Sequence, residues 1–166
     1  MARPTPWLLA LPAAALLALP LGGTPALAAA SPTCSFEAVV ILDPGLSRVP
    51  SAGDFATPAG REGRYECRGP YGYGKGPSGT ASATGRYGTA GADTCSGNGE
   101  GAGTLRLADR TGKFTFTYGR FTDGVATGKF DSAHLAGTFT ITALKGDCLT
   151  SPVTDVRLEG EGKPKR

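Results

Sequence analysis

Few side chains in this sequence carry reactive chemistry, and their spacing narrows what that chemistry can be. The four cysteines, Cys34, Cys67, Cys95 and Cys148, are widely separated, and His134 is the only histidine. A structural zinc site draws on thiolates and imidazoles a few residues apart, so the pattern implies no metal. An even cysteine count in an exported chain predicts two disulfides instead, which leaves no thiolate to act as a nucleophile. His134 lies in DSAHL beside Asp131 and Ser132, crowding a carboxylate, a hydroxyl and an imidazole into four residues. Triads are assembled from separate parts of a fold, with a base bonded to its nucleophile. Such crowding is the ordinary composition of a turn. A glycosidase-type carboxylate pair can be drawn from different strands, for instance Glu66 and Asp155, but strand charges usually lie on the solvated face. No catalytic residue is assigned, the reading leans away from an enzyme, and no cofactor is implied.

The stretch GPYGYGKGPSG, residues 69–79, offers a second set of candidates. Gly69, Gly74 and Lys75 fit most of the phosphate-cradling pattern GxxxxGK[ST], and Gly74, Gly76 and Gly79 fit GxGxxG. A phosphate loop needs Ser or Thr after the Lys and a helix beyond it. Here Gly76 and Pro77 follow, and the next residues alternate as a strand. With 26 glycines in 166 residues, both fits are expected by accident. An extended chain would put Tyr71, Tyr73 and Lys75 on one side, where two phenols and an ammonium could meet a sugar or an acidic group. The plainer alternative is a Gly-rich hairpin whose tyrosines lie back on the sheet.

These residues must be positioned by strands, because no window shows apolar residues at helical spacing and period two recurs throughout. In KFTFTY, Phe114, Phe116 and Tyr118 alternate with Thr115 and Thr117; in LAGTFTITAL, Phe139, Ile141 and Ala143 alternate with Thr138, Thr140 and Thr142. Each strand then has one wet and one apolar face, as in antiparallel sheet over a core. The same reading predicts strands at 35–42, 63–69, 80–87, 103–109, 124–130 and 153–160, eight in all. Asp43, Pro44 and Gly45, Arg110 to Gly112, Asp123 with Gly124, and Asp131 with Ser132 read as turns between them.

If the eight strands alternate in direction, Cys34 and Cys67 fall at one end and Cys95 and Cys148 at the other. The favoured bridges, of three possible connectivities, are Cys34–Cys67 and Cys95–Cys148. The second joins strands that are not neighbours in a flat meander, which favours a curled or closed sheet. An all-β, eight-stranded up-and-down barrel is therefore favoured over a two-layer sandwich. The low bulk of residues 76–103 is expected to need support from the disulfides or to stay mobile.

Residues 1–30 read as a secretory signal peptide: Arg3, an apolar run broken by Pro12 and Pro20, then alanines at Ala26, Ala28 and Ala30. The run is too short to span about 30 Å of hydrocarbon as a helix, so a secreted chain, off the membrane once cleaved, is expected. Residues 31–160 then make one domain and 161–166 a flexible basic tail. Without Arg3, sixteen Lys and Arg face fourteen Asp and Glu, a balance that does not suggest capture of nucleic acid.

The segments CSFEAVVILDPGLS, residues 34–47, and GTFTITALKGDCLTSPVT, residues 137–154, resemble the opening and closing segments of a group of small secreted proteins from actinomycete bacteria. The resemblance implies export, two bridges and an all-β fold, and it transfers no activity. The expectation is a secreted, non-enzymatic β-domain that binds a small ligand in a barrel mouth, a cell-wall glycan or a protein partner. An extracellular hydrolase acting on polymer and a structural or surface-layer component are the alternatives.

Overall fold

Alternating Thr and apolar residues make extended chain, and the computed structural model consists of strands and their connections over the residues it describes, 31–49, 52–69, 75–88, 93–96, 99–108 and 110–165. The strands are β1 (Thr33–Leu46), β2 (Gly53–Ala56), β3 (Gly63–Arg68), β4 (Lys75–Tyr87), β5 (Gly99–Leu107), β6 (Thr111–Tyr118), β7 (Val125–Ser132), β8 (Leu135–Lys145) and β9 (Val153–Pro164). β1 pairs with β3, β3 to β9 pair in chain order, and β9 returns to β1 from Cys34↔Gly162 to Ile41↔Asp155. All these ladders are antiparallel, and the last one closes an eight-stranded barrel, which leaves no sandwich. We call the end where β1 finishes the upper end.

The ninth strand, β2, falls in a stretch without an alternation signal. Its Phe55 pairs with Leu42 on one side and Gly85 on the other, so it sits in the wall between β1 and β4, directly above β3. Both β2 and β3 run antiparallel to β1, and together they occupy one strand position that is interrupted midway. From Ala56 to Gly63 the chain takes seven steps while β4 takes three, from Thr84 to Ala81, so four extra residues loop out. Thr57 holds the break: its amide donates to the Ala83 carbonyl at 2.8 Å, and its hydroxyl accepts from the Ala83 amide at 3.0 Å.

Following partners once around the wall from Leu42, through Phe55, Gly85, Gly103, Phe114 and the β7–β8 and β8–β9 pairs, leads back to Pro32, about ten residues earlier in the chain. A stagger of that size tilts eight strands by about 40° and leaves an interior just wide enough for side chains.

Rings lying over glycines fill that interior. Gly99, Gly101 and Gly103 of β5 face Tyr118, Phe116 and Phe114 across the β5–β6 ladder, and Gly128 faces Phe139. A Cβ added at Gly103 would lie 2.8 Å from Phe55 Cζ, and one at Gly160 2.5 Å from Phe36 Cζ. Phe116 is the hub, with ring centroids of Phe55, Phe114, Phe139 and Tyr118 at 5.6, 5.9, 6.1 and 6.3 Å. The Gly-rich strands β4 and β5 thus carry no bulk of their own because the neighbouring strand supplies it, beside the support that Cys95–Cys148 gives to this stretch.

Several boundaries differ from the sequence reading, among them the start of β5 at Gly99 rather than at 103. Lys75 already pairs with Arg68, so β4 begins inside the Gly-rich stretch. Residues 43–45 form no hairpin; β1 passes through them, with a cis Asp43–Pro44 bond and a register shift between Ile41 and Leu46. Residues 161–164, expected in a flexible tail, continue β9 and pair with β8, from Thr138↔Glu161 to Leu135↔Pro164. Both bridges form as favoured: Cys34–Cys67 joins directly paired residues at the lower end, and Cys95–Cys148 joins two upper loops with Cα atoms 5.8 Å apart.

Candidate functional site

Most apolar side chains of the wall face inward and its Glu, Lys and Arg side chains outward, so a site must lie inside the barrel, on its wall or at its ends. Inside, only two side-chain polar atoms are buried without a hydrogen-bond partner among the described residues, the hydroxyls of Tyr87 and Tyr118. Both residues are nearly inaccessible, at 2 % and 4 %. Burial is the main cause that pushes the Tyr87 phenol up to about 12, helped by Asp43 and Asp54. Burial also drives the Tyr118 phenol well above its ordinary value, helped by Tyr87 and Asp93. The cluster around them includes Leu46, Phe116, Phe139 and Val156, and two concavities of the barrel are open troughs that include outward-facing Thr and Glu side chains.

At the upper end, side-chain hydrogen bonds tie together the described loop segments. Thr94, wholly buried, grips Ser47 twice: its hydroxyl accepts from the Ser47 amide at 2.9 Å and donates to the Ser47 carbonyl at 3.1 Å. Next to each cysteine of the upper bridge an aspartate closes its own turn. Asp93 Oδ1 accepts from the amides of Cys95 and Ser96, and its Oδ2 from the Ser96 hydroxyl. Asp147 Oδ1 accepts from the amides of Leu149, Thr150 and Ser151, and its Oδ2 from the Thr150 hydroxyl. These donors hold the Asp147 carboxyl far below the usual carboxylate range, the Thr150 amide first among them. The Ser96 hydroxyl is the main cause that lowers Asp93. The shared pattern Asp-x-x-Ser/Thr around Cys95 and Cys148 is a legible turn signal that the sequence reading passed over.

At this end sit the exposed large apolar side chains of the described residues. Val49 and Leu149 are each 70 % exposed on the loops, and Ile41, Val125 and Leu144 stand just below on the outer wall. Phe121 is half-buried beneath them, its amide bonded to the Cys95 carbonyl at 3.1 Å.

The other sequence candidates are not brought together. Tyr71 and Tyr73 lie outside the described residues, and Lys75 stands at the foot of β4, at the end opposite the apolar rim. Ser132 spends its hydroxyl on Leu135, donating to the carbonyl at 2.9 Å and accepting from the amide at 3.0 Å, while Asp131 pairs with Lys165. His134 is exposed at the hairpin tip with neither as a working partner. Glu66 aligns with Ser35 on β1 and Asp155 with Ile41, six residues apart, which at about 3.3 Å per residue is about 20 Å. Glycosidase carboxylates lie within about 10 Å, so these two cannot flank one bond. Among the described residues no three His, Cys, Asp or Glu side chains gather as a metal would require, and no helix is long and apolar enough to cross a membrane. Comparison of the chain with protein-family models, with curated proteins and with solved structures finds no match.

Proposed function

We propose that this chain is a secreted, non-enzymatic binding module that engages a protein partner through its upper end. The observation that carries the reading is the gathering of Ile41, Val49, Val125, Leu144 and Leu149 on one end, while the barrel interior is filled by rings. Exposed apolar side chains in one place mark interaction surfaces, and loops on a rigid scaffold are where binding residues concentrate. Arg48, Lys145 and Asp123 border the apolar group, a mixture suited to a protein surface. A neutral glycan would call for exposed aromatic faces, and every described aromatic residue is buried or half-buried. Filled interior space argues against a small ligand in the barrel mouth.

Export is part of the same proposal. Two disulfides fit an oxidising compartment, and residues 1–30 have the composition of a cleaved signal. Membership of a group of small secreted actinomycete proteins, which residues 34–47 and 137–154 suggest, belongs to the same proposal. To test the binding reading, immobilised mature protein is exposed to the extracellular and surface proteins of the source culture, beside a Val49→Ser/Leu149→Ser variant and a wall variant, Thr138→Ala/Thr140→Ala. The rim pair should lose a partner that the wild type and the wall variant both retain. Capture of nothing, or of the same proteins by all three, refutes the reading.

A further inference from the structure

The chain's near balance of charge conceals a polarity that only the barrel reveals. At the lower end the described residues place Arg68, Arg106, Arg110, Lys113, Lys163 and Lys165, all exposed, against three carboxylates, Glu66, Asp131 and Glu161. Glu66 and Asp131 are engaged by Arg68 and Lys165. The upper end has the opposite excess: Asp43, Asp54, Asp93, Glu100, Asp123, Asp147 and Asp155 outnumber Arg48, Arg86, Arg120 and Lys145.

Folding also makes the lower cations neighbours. Lys113 adjoins Phe114, which pairs with Ser132 at the β7–β8 hairpin. On the other flank of that hairpin Lys163 pairs with Ala136, and the Lys165 amide bonds to the His134 carbonyl at 2.9 Å. Arg106 and Arg110 stand at the adjoining β5–β6 turn, where Arg106 pairs with Thr111. Cations from sequence positions up to sixty residues apart thereby line neighbouring strand ends. Distance keeps this end independent of the acidic one. β1 alone has 14 residues, about 45 Å along the strand and about 35 Å along a barrel axis tilted by 40°. The Debye length at physiological salt is about 8 Å, so a ligand at the lower end does not feel the upper carboxylates.

We infer that the lower end is a docking surface for a polyanionic glycan, one bearing sulfate, phosphate or uronate groups. The exposed large apolar side chains lie at the other end, so nothing here would insert into an anionic membrane. No described aromatic face is exposed for bases to stack on, which disfavours single-stranded nucleic acid. A polymer that presents only repeated negative charge matches what this surface offers. The site is separate from the apolar rim, and its success or failure is independent of the protein-partner proposal.

The test compares two charge-matched triple variants, Arg106→Gln/Lys113→Gln/Lys163→Gln at the lower end and Arg48→Gln/Arg86→Gln/Lys145→Gln at the upper end. Each is titrated with heparin and with polygalacturonate over a series of salt concentrations, after circular dichroism shows the wild-type fold. Wild type and upper variant should bind within about twofold of each other. The lower variant should lose at least tenfold in affinity, with a flatter dependence on salt because fewer counterions are released. Equal weakening of both variants would show that net charge alone is at work and overturn the inference. So would wild-type binding no stronger than to neutral dextran, or stronger binding to duplex DNA or to phosphatidylglycerol vesicles than to either glycan. The Val49→Ser/Leu149→Ser pair should bind both glycans like wild type.

Discussion

The packing of rings over glycines makes a sharp quantitative expectation at Gly101. This residue faces Phe116 on β6 and Tyr87 on β4. A Cβ placed on it would collide with Phe116 Cζ and with the Arg86 carbonyl oxygen. Phe116 has no retreat, because four other rings surround it at centroid distances of 5.6 to 6.3 Å. Overpacking a filled core costs about 1–3 kcal/mol, and a rigid backbone carbonyl on one side with a trapped ring on the other puts Gly101→Ala at about 3 kcal/mol. For a domain of this size that is about 10 °C in Tm. The assay is guanidinium unfolding of the disulfide-intact protein, followed by far-ultraviolet circular dichroism. Gly112→Ala is the control, since an added Cβ there meets nothing within 4 Å; it should be neutral or stabilise by about 0.5 kcal/mol. Phe116→Leu should cost about 1–2 kcal/mol alone yet relieve Gly101→Ala, so the double variant should be more stable than the two costs predict by at least about 1 kcal/mol. If Gly101→Ala behaves like Gly112→Ala, or if the double variant is additive, rings over glycines are not what fills the barrel.

Removing the upper bridge with Cys95→Ala/Cys148→Ala should cost about 4 kcal/mol in the same assay, because a closed loop of 53 residues is released in the unfolded chain; a loss under 1 kcal/mol contradicts this. Thr94→Val leaves the Ser47 amide and carbonyl without their shared partner and should cost about 1–3 kcal/mol, while Thr94→Ser restores most of it. The Tyr87 phenol, whose value rises from 10.0 to about 12 on folding, favours the fold fully below pH 10 and ceases to as the pH climbs through 12. Phenolate absorbance should accordingly show this tyrosine ionising well above pH 10, in step with loss of the strand signal. Asp147 has the opposite sign: its lowered carboxyl supports the folded state above pH 3.8 and progressively less below it. Asp147→Ala should therefore lower Tm at neutral pH, with the gap from wild type shrinking in acid.

Strand type, the inward and outward faces and both disulfide pairings were legible in the sequence, because each follows from local rules. Period two in KFTFTY and GTFTITAL assigns Phe114, Phe116, Phe139 and Ile141 to one face whatever lies opposite, and strand direction alone sorts four cysteines into two ends. β2 was not legible, since Gly53–Ala56 is too short to show a period, and it is held by Leu42 and Gly85 on its flanks rather than by its own pattern. The extent of β4 and β9 was hidden for the same reason: ladder partners extend a strand beyond where composition would stop it. Nor could the Gly-rich half be recognised as well packed, because the rings that fill it belong to other strands.

Of the candidate sites, the sequence contains the Asp-x-x-Ser/Thr turns, but not the gathering of Val49, Leu149 and Leu144 on one end or of Arg106, Lys113 and Lys163 on the other. What the sequence determined by itself is everything carried by neighbours in the chain: extended conformation, alternation and turn chemistry. What only the tertiary structure decided is everything carried by ends. Closing the barrel brings residues from distant hairpins to one rim, and the sequence average of charge and apolarity is blind to which rim each one joins.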